Sequence, residues 1–347
     1  MSSLHLCSRG RTQTVRFHAV SPTENIEEPS FPSMLVLQDS VVPTSYCLVY
    51  LRNGACSVRS LAEAETFHPV IGPAMEAGVL YARQLHLPER VREMSGEFVI
   101  WDVGLGAAAN ALTVIRLVRE SLKGKPARLR LISFDLTTDA AAFALEHGAE
   151  LGYVTGYESA LAELIKNHSV KFNDGLLQVE WTLVPGDFPA WLAQNLERRL
   201  PARRESVLSC EHAVPEAGAP PPHAILFDPH SPKKNPAMWS ATLFADLFHR
   251  LDPQRPCALA TYTRSTMARV ALLLGGFFVG VGHPSGLKEE TTVAANRLDL
   301  LDEPLDHRWL ERAKSSHSAE PLSGPAYRQE PLSPETWERL RQHPQFR

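Results

Sequence analysis

Eight residues, HPSGLKEE (283–290), are all that separates the apolar run FFVGVG (277–282) from TTVAANR (291–297). Parallel neighbours need a crossover of a dozen residues or more, so these two strands must run antiparallel. Upstream the pattern is the opposite. The runs FVIWDVG (98–104), LRLISFD (129–135), LLQVEWTLVPGD (176–187), HAILFDP (223–229) and CALATY (257–262) are short and apolar, with helical stretches between nearly every pair. After the first run, Ala108, Ala111, Leu112, Ile115, Val118 and Leu122 recur on one helical face. Further helices start near Asp139 and run from Ala160 to Lys166. Ser240 is placed to cap a helix with the inner stripe Leu243, Phe244, Leu247, Phe248 and Leu251, and Gly275-Gly276 closes another that begins at Ser265. Such helical crossovers are right-handed and build a parallel sheet covered on both faces. The prediction is an α/β fold with a seven-stranded sheet, parallel except for its last strand.

Other parts of the chain lie outside that alternation. Residues 1–32 carry Pro22, Pro29 and Pro32 in a polar setting and are read as a flexible leader. Short apolar runs between 33 and 70 predict a small β extension. Pro73 suits a first helical position, and Met75, Val79, Leu80 and Arg83 set its period until Leu87-Pro88 stops the run. The Pro- and Ala-rich stretch 201–222 is read as an inserted loop, and 303–347 as a tail that packs in part and frays at its end. The main domain is thus placed at 33–302.

Composition removes several classes. With 44% hydrophobic residues over 347 positions the chain can bury a sizeable core, and a net charge of −4 rules out a uniformly basic nucleic-acid coat. A local basic patch stays open. Five cysteines (Cys7, Cys47, Cys56, Cys210, Cys257) form no CxxC pair and leave one over, which argues against a secreted disulfide framework. There is no signal-peptide core and no membrane-length apolar run, so a cytoplasmic protein is expected. The 14 histidines show no HExxH or clustered ligand spacing, and no metal is expected.

A parallel sheet closed by an antiparallel hairpin is the architecture of class I S-adenosylmethionine-dependent methyltransferases, a Rossmann-like fold distinct from the nicotinamide-binding one. Ligands of open α/β sheets bind at the carboxyl ends of the strands. Four clusters fall there. The turn Asp102-Val103-Gly104-Leu105-Gly106-Ala107-Ala108 is either a ligand loop or a tight strand-to-helix corner. Asp135 is placed to accept ribose hydroxyls, or caps the turn before Thr137-Thr138. Asp187 and Phe188 would meet the adenine, unless Asp187 is only the N-cap of FPAWLAQNL. Asp228 begins a rigid loop, Asp228-Pro229-His230-Ser231-Pro232-Lys233-Lys234-Asn235-Pro236, where a carboxylate could orient a nucleophilic amine and take up its proton, or else cap the loop. Lys233 and Lys234 sit beside it and could meet phosphates. Arg198, Arg199, Arg203 and Arg204 could do the same or form a solvated helix face.

These pieces resemble one family, the MnmC-like methyltransferase domain of the tRNA 5-methylaminomethyl-2-thiouridine biosynthesis enzyme. The likeness rests on Glu65-Thr66-Phe67-His68-Pro69, Gly72-Pro73, Glu76-Ala77 through Leu80-Tyr81, the loop from Asp102 to Gly106 with Asn110, and Phe134-Asp135. Its longest element runs from Leu226 to Trp239 and is followed by Leu259-Ala260-Thr261-Tyr262. It spans about Phe67 to Arg297. The resemblance implies N-methylation of the aminomethyl group on a tRNA wobble uridine, with S-adenosyl-L-methionine as donor. It implies a cofactor site of Asp102, Gly104, Gly106, Asn110, Asp135, Asp187, Phe188, Glu76 and Tyr81. Asp228 would be catalytic, and Pro229, Lys233, Lys234 and Asn235 would meet the substrate. Some members are fused to an FAD-dependent oxidase. The length of this chain leaves no room for one, so a standalone form that accepts only the aminomethyl group is expected. Ala108 departs from the family's third glycine. A small-molecule amine methyltransferase, or a non-catalytic binding module on the same scaffold, stays open beside this reading.

Overall fold

The computed structural model describes residues 45–197, 219–286, 289–324 and 326–347. Leader residues 1–32, the start of the β extension, most of the predicted insert, and Arg198, Arg199, Arg203 and Arg204 lie outside the described residues. The extension continues as a three-stranded antiparallel sheet of β1 (Tyr46–Tyr50), β2 (Cys56–Ser60) and β3 (Glu65–Thr66). The main sheet follows with β4 (Glu97–Val103), β5 (Ala127–Asp135), β6 (Ser169–Asp174), β7 (Leu177–Pro185), β8 (Ala224–Phe227), β9 (Ala258–Thr261), β10 (Phe278–Gly282) and β11 (Thr291–Ala295). Its spatial order is β10-β11-β9-β8-β4-β5-β7-β6.

The sheet therefore has eight strands, where the sequence predicts seven. The additional one is β6, which pairs antiparallel with β7 through the turn at Gly175 (φ +61°). Its alternation of exposed Lys171 and Asn173 with buried Val170 is that of an edge strand, and the preceding helix Glu158–Asn167 masks so short a run. The predicted hairpin is present. Strand β11 inserts antiparallel to both neighbours, between β9 and β10.

Helices cover both faces. Helix Ala109–Ser121 buries Ala111, Leu112, Ile115 and Val118 as its period predicts. Helix Ala241–Arg250 is capped by the Ser240 hydroxyl, which accepts the Leu243 amide at 3.1 Å, a contact worth about 1 kcal/mol. The helix after Pro73 departs from expectation. Its inner stripe is Glu76, Ala77, Leu80, Tyr81 and Gln84, whereas Met75 is 61% exposed and Arg83 faces solvent. A π-helical segment, Gly78–Arg83, shifts the period there, and Pro88 lies in the first turn of a new helix, Leu87–Glu93, instead of ending the region. Beyond Asp302 the chain adds helices His307–Lys314 and Pro334–Arg341 and buries Trp309, Leu340 and Phe346 against the sheet's second face. No helix among the described residues is long and apolar enough to cross a membrane.

Candidate active site

The carboxyl ends of β4, β5, β7 and β8 open into one cavity of about 500 Å³. Gly104 and Gly106 from the first, Asp135 from the second, Asp187 and Phe188 from the third, and Asp228 from the fourth all line it. Pockets of 300–1,000 Å³ are the size that holds a nucleoside-sized ligand.

The floor is set by backbone geometry. Gly104 has φ +96°, and a Cβ there would stand 2.6 Å from the Asp228 carbonyl oxygen. Glycine lets β4 and β8 close on each other at that point. Gly106 donates its amide to Asp135 Oδ2 at 2.8 Å, so the carboxylate ties the end of β5 to the loop. Burial pushes the Asp135 carboxyl above its usual range, although the amides of Gly106, Thr137 and Leu136 pull the other way. Ala108 adopts the left-handed conformation at φ +61° and is fully buried. An L-residue there carries a cost of about 1–2 kcal/mol, offset in part by its buried methyl group.

The rim is built by the sequence between Asp228 and Trp239. Asn110 Nδ2 donates to Asp228 Oδ2 at 2.7 Å. The hydroxyl of Tyr262 donates to the Pro229 carbonyl at 3.0 Å, and Trp239 Nε1 donates to the His230 carbonyl at 2.9 Å. Opposite stands the small N-terminal sheet. Glu65 accepts the Ser231 hydroxyl at 2.6 Å and pairs with His230 Nδ1 at 3.2 Å. Burial opposes the Glu65 carboxylate, but Ser231 and His230 outweigh it and hold its pKa below the ordinary range. Ser57 donates to the Phe67 carbonyl, fixing the strand that presents His68. His68 lies between two carboxylates, Nδ1 3.8 Å from Glu76 and Nε2 3.9 Å from Asp228.

Most residues singled out from the sequence meet here: Glu76, Asn110, Pro229 and Asn235 also line the cavity. Asp187 does both things its position allowed, since Oδ1 accepts the Ala190 amide at 2.8 Å as a helix cap while the residue faces the cavity. Four residues are not brought to it. Asp102 and Tyr81 are wholly buried, and Lys233 and Lys234 are exposed but outside the lining. Glu65, His68 and His230 line it and carried no assigned role. The motif Glu65-Thr66-Phe67-His68 was visible, but no spacing tells that a two-residue strand folds back onto a loop about 165 positions later. Among the described residues no group of His, Cys, Asp and Glu could hold a metal ion.

Residues 208–297 match the sequence model of a family described as S-adenosyl-L-methionine-dependent methyltransferase. The structure superposes on a crystal structure of MNMC2 from Aquifex aeolicus with a TM-score of 0.57, at 19% identity, covering 86% of this chain and 84% of that one. The chain shares the fold of that protein. A further relative is the tRNA 5-methylaminomethyl-2-thiouridine biosynthesis bifunctional protein MnmC of Vibrio campbellii, 24% identical over 256 residues. That alignment takes in 70% of this chain and 34% of the relative, so the chain spans about a third of that protein. The matched family model is described as S-adenosyl-L-methionine-dependent, and the cavity suits that cofactor: a glycine cradle that a Cβ would fill, a carboxylate at the end of β5, and the ring of Phe188 beside Asp187.

Asp102, beneath the glycine loop, has a different task. Its Oδ2 accepts the Ser133 hydroxyl at 2.7 Å, Ser133 in turn accepts Trp181 Nε1 at 2.9 Å, and Oδ1 has no partner among the described residues. Burial pushes its carboxyl from 3.8 up to about 8. The folded chain therefore keeps a proton that the unfolded chain releases, and stability falls as pH rises from about 4 to about 8. The slope is at most about 1.4 kcal/mol per pH unit. Asp102→Asn is expected to flatten that decline, read as urea midpoints at pH 5 and pH 8 for both proteins. Equal pH slopes would remove Asp102 as the cause.

Proposed function

We propose that this chain methylates the primary amine of an aminomethyl group on a tRNA wobble uridine, 5-aminomethyl-2-thiouridine, to the methylaminomethyl form. The observation that carries the reading is the meeting of Gly104, Asp135 and Asp228 in one crevice, with the Asp228 carboxylate at its rim. Gly104, Gly106, Asn110, Asp135, Asp187, Phe188 and Glu76 would hold S-adenosylmethionine, which supplies a methyl group on a positively charged sulfur. Asp135 would accept the ribose hydroxyls. Asp228, with Asn110 fixing its Oδ2, binds the substrate nitrogen and aims its lone pair; alignment is the main resource, since no covalent enzyme intermediate is called for. Pro229 and Asn235 would border the base, and Lys233 and Lys234, exposed and outside the lining, would meet flanking phosphates.

The test combines binding and product. S-adenosylmethionine is expected to raise the melting temperature, because it binds only the native state. Incubation with tRNA carrying aminomethyl uridine should yield methylaminomethyl uridine by nucleoside mass spectrometry. If the free nucleoside or a polyamine were methylated and the tRNA left untouched, the chain would be a small-amine methyltransferase. With no thermal shift it would be a binding module.

A further inference from the structure

Amine methylation needs a free lone pair, yet an alkyl amine near neutral pH carries an extra proton. Carboxylates titrate several units below such amines and imidazole much nearer to them, so a carboxylate is the better anchor for the ammonium and an imidazole the better acceptor of its proton. His68 stands where that acceptor is needed. Its Nε2 is 3.9 Å from Asp228 Oδ2, its side chain is 11% exposed, and it lines the cavity. On the far side of the ring, Glu76 Oε2 lies 3.8 Å from Nδ1. In the neutral tautomer that carries its proton on Nδ1, on the Glu76 side, the Nε2 lone pair is on the side of Asp228. His68 has φ +48°, in the left-handed region.

We propose that His68 is the proton acceptor of the reaction. Resting on the function proposed above, the step is a simple transfer: the ammonium held at Asp228 gives an N–H proton to His68 Nε2, and the bonding pair stays on the substrate nitrogen as the attacking lone pair. The imidazolium is flanked by Glu76 and Asp228 and later returns the proton to solvent. Other titratable groups lining the cavity are engaged elsewhere. Glu65 is paired with His230, Arg59 donates to the Thr66 hydroxyl at 3.0 Å, Asp135 holds Gly106, and Tyr262 donates to Pro229. The Tyr81 hydroxyl is buried outside the lining and held far above its ordinary pKa, by burial first and then by Asp228 and Glu76.

His68→Gly is the decisive variant, because glycine accepts φ +48° without strain and the fold should persist. It is expected to keep the thermal shift with S-adenosylmethionine and lose about 100-fold in kcat at pH 7. Its rate should climb as pH approaches the amine's own range, and added imidazole should restore part of it at pH 7. In ¹⁵N-histidine-labelled wild-type protein, the one signal missing from His68→Gly should move toward the protonated position when the aminomethyl tRNA binds. An unchanged rate and pH profile in the variant, or an unmoved His68 signal, overturns the assignment while leaving the function in place. If the wild-type chain does not methylate the tRNA at all, the function fails and His68's role falls with it.

Discussion

Gly104→Ala is expected to destabilise the chain by about 3 kcal/mol and to abolish binding of S-adenosylmethionine. Two separate costs combine. The backbone at φ +96° lies where an L side chain is strained, and the added Cβ would sit 2.6 Å from the Asp228 carbonyl oxygen and 2.9 Å from its carbon. Neither atom is the end of a flexible side chain. The contact is relieved only by parting β4 from β8, whose pairing ends at Val103 and Phe227, immediately before these residues. The same movement widens the cavity floor and carries Asp228 away from Asn110. Urea denaturation and a thermal-shift titration report the two effects separately. A variant with wild-type stability and an unaltered ligand shift would mean that the close approach is not required.

Asp228→Asn has nearly the same shape and removes only charge. The interaction with Asn110 can survive through the remaining carbonyl, so binding of S-adenosylmethionine should be unchanged. Turnover should fall by 10²–10⁴, because the ammonium loses its anionic anchor and the lone pair is no longer aimed. The loss should appear in kcat more than in KM, since a nucleic-acid substrate of the kind proposed would be held mainly by contacts outside the amine. A kcat within twofold of wild type would take Asp228 out of the reaction.

Much of the scaffold was legible because its determinants are local. The lengths of the apolar runs, the stripe from Ala111 to Val118, Ser240 as a cap and an eight-residue hairpin connection each specify geometry within a few residues. Strand β6 was hidden because an edge strand only half buries its face. The π-helical turn after Gly78 was hidden because its period differs from 3.6. Residues at strand ends converge by topology alone, which made Gly104, Asp135, Asp187 and Asp228 accessible to sequence reasoning. Glu65 and His68 depend on how a separate small sheet docks, and no periodicity encodes a contact between Glu65 and Ser231. Asp102 and Tyr81 belong to the same motifs as cavity residues, but motif membership does not say which way a side chain points from a pleated strand or a helix.

The segment after Asp302 also bears on whether the molecule stays solitary. Strand β10 is one margin of the sheet, and its outward backbone groups are already engaged: Val281 donates to the Glu303 carbonyl at 2.8 Å and Leu305 to Val279 at 2.9 Å. Gln345 adds a side-chain amide that both accepts from and donates to Val279, at 2.8 and 2.7 Å. At the opposite margin, β6 is six residues long and carries Lys171 toward solvent, paired at 3.0 Å with Glu180. Open margins are where like chains stack strand on strand into aggregates. Here one is covered by Glu303, Leu305 and Gln345 and the other is guarded by charge, so crowding of many copies finds little backbone on which to polymerise.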